Sequence, residues 1–157
     1  DYKTNMRAIV QRVKYSSVEF YKDEEKIINE ISAGLQVLVG ITQDDTQKDV
    51  EYIVDKITGL RIFEDENQKM NLSLSDISGE ILLVSQFTLY GDARKGKRPS
   101  FTDAARPEIA VPLYETMIKE IKSRGIGCKT GEFGADMTVT IVNDGPVTIM
   151  LDSKKQF

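Results

Sequence analysis

Residues 35–41 read Leu-Gln-Val-Leu-Val-Gly-Ile, a run rich in Val, Leu and Ile with little alternation between polar and apolar positions. A strand buried on both faces has this character, so the stretch is expected at the centre of its sheet. Toward the N-terminus, Ala8, Val10 and, with one slip, Val13 alternate with polar residues and predict a strand that starts soon after Met6. Val18 to Tyr21 is strand-like too, and the polar cluster Lys22 to Lys26 reads as a turn into a short strand around Ile27 to Ile31. The chain thus opens as a β-meander that leads into the buried central strand.

Toward the C-terminus the period changes. Thr46 is placed to cap a helix, with Asp49 supplying a carboxylate near the positive end of its dipole, and Val50, Ile53, Val54, Ile57 and Leu60 recur at helical spacing. Arg61 to Phe63 returns to extended structure, Asp65 to Lys69 is polar enough for a turn, and Ser78-Gly79 breaks the chain before the apolar run Ile81 to Val84. A second helix is marked by Pro107 just inside its start, by Ile109, Ala110, Leu113, Tyr114, Met117, Ile118 and Ile121 along one side, and by Gly125 beyond its end. Pro112 is expected to bend it. Two more strands are expected at Met137 to Val142 and Val147 to Leu151, joined by Asn143-Asp144-Gly145-Pro146. Strands outnumber helices and come in runs, which predicts an α+β fold: a single compact domain with two mostly antiparallel or mixed β-sheets and two main helices packed as layers. Residues 6–153 form that domain, and residues 1–5 read as a tag remnant or extension.

At 157 residues the chain is long enough to bury roughly two thirds of the surface its unfolded form exposes. Hydrophobic residues at 40% and charged residues at 29% are ordinary for a globular protein. No apolar run approaches the ~18 residues that span a bilayer and no secretory signal precedes the first strand, so the expected place is cytoplasmic with no membrane partner. The lone Cys128 cannot form an intrachain disulfide. Histidine is absent, which excludes Ser-His and Cys-His nucleophilic arrangements and the usual His-containing zinc sites. No glycine-rich phosphate loop of either common pattern occurs, and no metal or cofactor is called for. A net charge of -4 opposes indiscriminate nucleic-acid binding. Locally, however, Arg94, Lys95, Lys97 and Arg98 put four positive charges within five residues, read either as a solvated loop or as a phosphate contact.

Two segments carry candidate chemistry. Ser85-Gln86-Phe87-Thr88-Leu89-Tyr90-Gly91 follows the second buried strand and runs into the basic loop. Read as a continuing strand, it sends Ser85 and Phe87 one way and Gln86 and Thr88 the other, and its polar residues either meet solvent or face a site. Thr88 as an activated nucleophile is weak without a histidine base. In Asn143-Asp144-Gly145-Pro146 the Asp-Gly pair suggests a tight hairpin turn, but Pro146 has no N–H for the ladder, which points to an edge, a bulge or a turn with a cis bond. Gly145 and Pro146 would expose two carbonyls and no donor side chain, an acceptor-only surface.

Taken together, Met6 to Val13, Ser85 to Gly91, Arg98-Pro99-Ser100-Phe101 and Asn143-Asp144-Gly145-Pro146-Val147-Thr148 resemble the D-aminoacyl-tRNA deacylase family, and Arg61-Ile62-Phe63 and Lys69-Met70-Asn71-Leu72 fit as well. The likeness extends from Met6 to about Ser153. It implies a homodimeric hydrolase that cleaves the ester joining a D-amino acid, or glycine, to the terminal adenosine of tRNA, with a Gly-cis-Pro loop entering the partner's active site to reject L-residues. Carried over by position, the catalytic strand is Ser85, Gln86, Phe87 and Thr88. Gly145 and Pro146 read chirality, Arg12 braces their loop, and Met137 and Phe133 line the pocket near the aminoacyl and adenosine groups. Ala104 and Ala105 stand as adenosine contacts, and Arg94, Lys95, Lys97 and Arg98 as the tRNA-binding loop. Two other readings compete: a non-catalytic RNA-binding module that uses the loop 94–98, and a general Ser/Thr esterase, which the missing histidine disfavours.

Overall fold

The computed structural model describes residues 5–157; within it β1 (Arg7–Lys22), β2 (Glu25–Ile31) and β3 (Gly34–Gly40) form the meander and α1 (Gln47–Gly59) follows. β4 (Phe63–Glu64) and β5 (Met70–Leu72) pair as a small antiparallel hairpin, and β6 (Glu80–Ser85) runs into a 3-10 turn at Phe87–Tyr90. α2 (Pro107–Ser123), β7 (Cys128–Thr130) and β8 (Thr138–Asp152) complete the chain. The expectation for residues 1–4 lies outside the described residues, whereas Asn5 is buried.

β1 organises the larger, six-stranded sheet. Its N-terminal half pairs antiparallel with β3, its C-terminal half with β2, and its opposite edge with β8. β3 is flanked by β1 and by β6, which runs parallel to it, and β7 lies parallel beyond β6. The sheet is therefore mixed, and the run 35–41 is central as its composition requires. Parallel neighbours need a crossover, and α1 and α2 supply the two that place β6 and β7.

Both faces of this sheet are covered. One core gathers Leu35, Val37 and Val39 of β3 and Ile81 and Leu83 of β6 under the helices, against Ile53 and Ile57 of α1 and Met117 and Ile121 of α2. A second, on the opposite side, holds Val13, Val18, Phe20, Ile31, Leu82 and Val84. Successive residues of β6 thus enter different cores, which is why that strand shows no polar alternation. The Thr46 capping box starts α1, with Lys48 N donating to Thr46 Oγ1 at 3.3 Å and Thr46 N donating to Asp49 Oδ2 at 2.8 Å. α2 is tied to β6 by the Tyr114 hydroxyl, which donates to the Leu83 carbonyl at 2.8 Å. α2 continues through Pro112, and Ile109, expected on its buried stripe, is exposed.

Three local expectations change. β1 is a single strand of 16 residues rather than two segments, because the exposed pair Lys14-Tyr15 interrupts its pattern but not its pairing. The chain does not reverse at Asn143-Asp144-Gly145-Pro146 as the Asp-Gly pair suggests; β8 stays on one edge of β1, Asn143 opposite Val13 and Thr148 opposite Gln11, so residues 144–147 form the bulge that Pro146 left open, opposite Arg12. The strand β6 ends at Ser85, so the alternate-face reading of Ser85 to Thr88 does not hold. No helix among the described residues is long and apolar enough to cross a membrane.

Candidate functional site

The end of β6 is where the core gives way to chemistry. Gln86 N donates to the Val39 carbonyl at 2.8 Å, and the chain then tightens into the 3-10 turn. Tyr90 anchors the far end of the turn: its buried hydroxyl lies 2.6 Å from the Asn5 carbonyl and 2.9 Å from that of Gly40. Burial, with the charge of Asp45 adding to it, pushes this hydroxyl far above the ordinary tyrosine range, so it stays a donor at every working pH. Arg7 clamps the turn from the side, its guanidinium 5.2 Å from the centre of the Tyr90 ring and its Nη1 donating to the Leu89 carbonyl at 3.1 Å.

On this fixed turn, Gln86 Nε2 donates to Thr88 Oγ1 at 2.9 Å. The Thr88 oxygen already accepts there, leaving its own proton to point elsewhere. The first internal bond of the turn runs from Leu89 N to the Gln86 carbonyl at 3.2 Å. The N–H groups of Phe87 and Thr88 precede it, so the turn itself makes no use of them.

Ser85, Gln86, Phe87 and Thr88 line one side of a cavity of about 460 Å³. Phe133, Gly134, Ala135, Asp136 and Met137 line another part, and Val39, Ile41, Ala105 and Ala110 complete an apolar wall. The Phe133 ring rests 6.0 Å from that of Tyr114. Ala105 N donates to the Ile41 carbonyl at 2.8 Å, which holds the segment before α2 against β3, while Ala104 does not line the cavity. Asp136 is its one carboxylate among the described residues, and sequence reasoning does not find it or Ala110. Neither has a local signal, since the wall is assembled from β3, the segment before α2, α2 and the loop before β8.

Gly145, Pro146 and Arg12 lie elsewhere. The bulge is held by Arg12, 5% exposed, whose Nε donates to the Asp144 carbonyl at 3.1 Å and whose Nη1 donates to the Ile62 carbonyl at 2.8 Å. Asp144 Oδ2 and Glu64 Oε1 approach the guanidinium at 3.6 and 3.7 Å. Asn143 Oδ1 accepts from Val147 N at 3.1 Å across the base of the bulge. The Gly145-Pro146 peptide bond is cis and Gly145 has φ +124. Both residues are exposed, and neither lines the cavity.

The basic loop is closed at its base by a reciprocal pair of hydrogen bonds, Asp92 N to the Ser100 carbonyl at 2.7 Å and Ser100 N to the Asp92 carbonyl at 2.9 Å. Arg94, Lys95, Lys97 and Arg98 are exposed on it. Arg94 donates to both oxygens of Asp92 and holds that carboxyl down to about 2. A smaller cavity of about 310 Å³, lined by Arg7, Tyr90, Gly91, Asp92, Arg94 and Asp103 among others, separates this loop from the 3-10 turn.

The family model for D-Tyr-tRNA(Tyr) deacylase matches residues 9–152. The chain is 62% identical over 152 residues to a D-aminoacyl-tRNA deacylase of Clostridium tetani, a match covering 97% of this chain and 100% of that protein. It is 59% identical, over the same length and coverage, to a D-aminoacyl-tRNA deacylase of Clostridioides difficile. In three dimensions it is similar to a solved c-Myc DNA Unwinding Element Binding Protein, with TM-score 0.83 and 43% identity over 93% of this chain and 97% of that one.

Proposed function

The chain belongs to the D-Tyr-tRNA(Tyr) deacylase family, and from that membership we propose that it hydrolyses the ester joining a D-amino acid, or glycine, to the terminal adenosine of tRNA. The observation that carries the reading is the 3-10 turn at the cavity wall, where two backbone N–H groups precede the first internal bond beside the Gln86–Thr88 pair. An aminoacyl ester is already reactive. Orienting it and donating the N–H groups of Phe87 and Thr88 to the developing oxyanion supplies about a hundredfold or more in rate per donor. Thr88 orients rather than attacks, Ser85 borders the reacting group, and Phe133 and Met137 border the adenosine and aminoacyl portions. The 2′-hydroxyl of the substrate assists, which relieves a chain without histidine of supplying a strong base.

Chirality is read by Gly145 and Pro146 of a second copy. In a homodimer the exposed bulge of one subunit enters the partner's cavity, its two carbonyls accept from the substrate α-ammonium, and the side chain of an L-residue is driven into unyielding main chain. Glycine has nothing to exclude and is accepted. Arg12 holds the bulge in position, and Arg94, Lys95, Lys97 and Arg98 attract the tRNA backbone. The role is proofreading in translation, and its place is the cytoplasm.

Incubation with D-Tyr-tRNA and L-Tyr-tRNA tests this reading: ester loss from the D-form alone, above the buffer rate, is expected, and equal rates or no loss from either would overturn it. A second reading is binding of nucleic acid without turnover, for which the basic loop and the similarity to the c-Myc DNA Unwinding Element Binding Protein speak. It requires retention that falls steeply with salt while D-Tyr-tRNA stays intact.

A further inference from the structure

Two phenylalanine rings stand exposed between the cavity and the basic loop. Phe87, on the cavity wall, is 59% exposed, and Phe101 is 36% exposed. They meet edge to face, with ring centres 5.3 Å apart and planes at 76°. The Phe101 ring lies so close over Gly91 that a Cβ there would come within 3.1 Å of Phe101 Cε1. The backbone beneath is fixed by Gly91 N donating to the Thr88 carbonyl at 2.9 Å and by the Asp92–Ser100 bonds. The pair is therefore anchored from below, with ring surface left facing water.

Its surroundings state what it fits. Phe101 directly follows Ser100, which closes the base of the basic loop, so the rings sit between the cavity and four cationic side chains. Among the described residues no ion pair engages Lys95, Lys97 or Arg98. An exposed ring face beside cations matches the alternation of base and phosphate in a single strand of nucleic acid, where aromatic side chains stack on bases without reading their edges.

We propose that Phe87 and Phe101 form a stacking platform for the base of the nucleotide that precedes the terminal adenosine of tRNA, whose phosphates lead on to the basic loop. The proposal rests on the reading that the terminal adenosine enters the cavity. Phe87 stacks the base, Phe101 holds the Phe87 ring at its angle, and contact is indifferent to base identity. The platform adds binding that a minimal aminoacyl-adenosine cannot reach.

The test uses D-tyrosyl esters of adenosine, of cytidylyl-adenosine, and of a dinucleotide in which an abasic sugar phosphate replaces the cytidine. The abasic compound keeps the phosphate and removes only the base. The quantity read is the ratio of KM for the abasic substrate to KM for the cytidylyl substrate within each protein, so a general loss in a variant cancels. In the wild type this ratio is expected on the order of tenfold. It should fall close to one in Phe101→Leu and be retained in Phe101→Tyr, with thermal unfolding confirming that both variants are folded. A ratio near one in the wild type, or an undiminished ratio in Phe101→Leu, would overturn the platform while leaving the deacylase reading intact. Failure of the wild type to hydrolyse any of the three esters while it cleaves D-Tyr-tRNA would overturn the platform alone, and failure on D-Tyr-tRNA as well would remove the deacylase reading and the platform with it.

Discussion

At Gly145 a single added methyl group meets two obstacles. A Cβ there would lie 2.9 Å from Val147 Cγ2 and 3.0 Å from Arg12 Nη2, and φ +124 is a conformation that L side chains rarely adopt. Gly145→Ala should therefore cost about 1–3 kcal/mol of stability, read by urea unfolding. Held below its unfolding midpoint, the folded variant should also fail to hydrolyse D-Tyr-tRNA; full activity in it would show that the loop's fine geometry is irrelevant. Gln36 poses the opposite problem. Its side chain on β3 is fully buried, level with Leu82 of β6, and neither amide atom has a hydrogen-bond partner among the described residues. An unsatisfied buried amide costs free energy that a leucine of similar volume does not, so Gln36→Leu should raise stability by about 1–3 kcal/mol. A loss of stability on that substitution would mean that the amide is satisfied after all.

Among the elements, the entry to β1 and the loop before α1 are joined by one carboxyl. Asp45 Oδ1 accepts from Met6 N at 3.0 Å and Oδ2 from Thr42 N at 2.8 Å. Burial, reinforced by the charge of Asp49, pushes this carboxyl up to about 7 against the pull of the two N–H donors and of Lys154. In the unfolded chain it titrates at about 3.9. Between those values the folded protein binds a proton that the unfolded chain has released, so stability from this group is full below about pH 4 and is lost as pH rises through about 7. Urea unfolding at pH 5 and pH 8 should show the wild type losing on the order of a few kcal/mol across that range relative to Asp45→Asn, which has no such proton to lose. Parallel pH profiles for the two proteins would contradict it. The same scale shows what periodicity can and cannot convey. α1 was legible from its cap and stripe because five buried positions repeat over 13 residues, whereas β7, with three residues, is too short for a period of two to repeat visibly. The 3-10 turn is not legible as one because Ser85 to Thr88 follows directly on a buried strand and carries no turn residue to end it. What bends the chain there is distant: Tyr90 buried against Asn5 and Gly40.

For the whole molecule, the α+β class and the mixed sheet were legible because the buried strands and the two helices differ in period. The length of β1 was not, since its partners change from β3 to β2 partway along. The site was legible in pieces. Ser85 to Thr88, Phe133 and Met137 converge on one cavity, but Asp136 and Ala110 join them only through tertiary packing, and Gly145, Pro146 and Arg12 stay outside it. If Gly145 and Pro146 read chirality as proposed, their place outside the cavity requires them to act on that of a second copy, and this consequence can be tested by mixing. Gly145→Ala spoils only the loop and Gln86→Ala only the catalytic turn, so each homodimer should be inactive. After the two proteins are unfolded and refolded together, a heterodimer has one intact turn facing one intact loop, and hydrolysis of D-Tyr-tRNA should return to a substantial fraction of the wild-type rate. If the mixture stays as inactive as its parents although heterodimers have formed, the loop does not complete the partner's site.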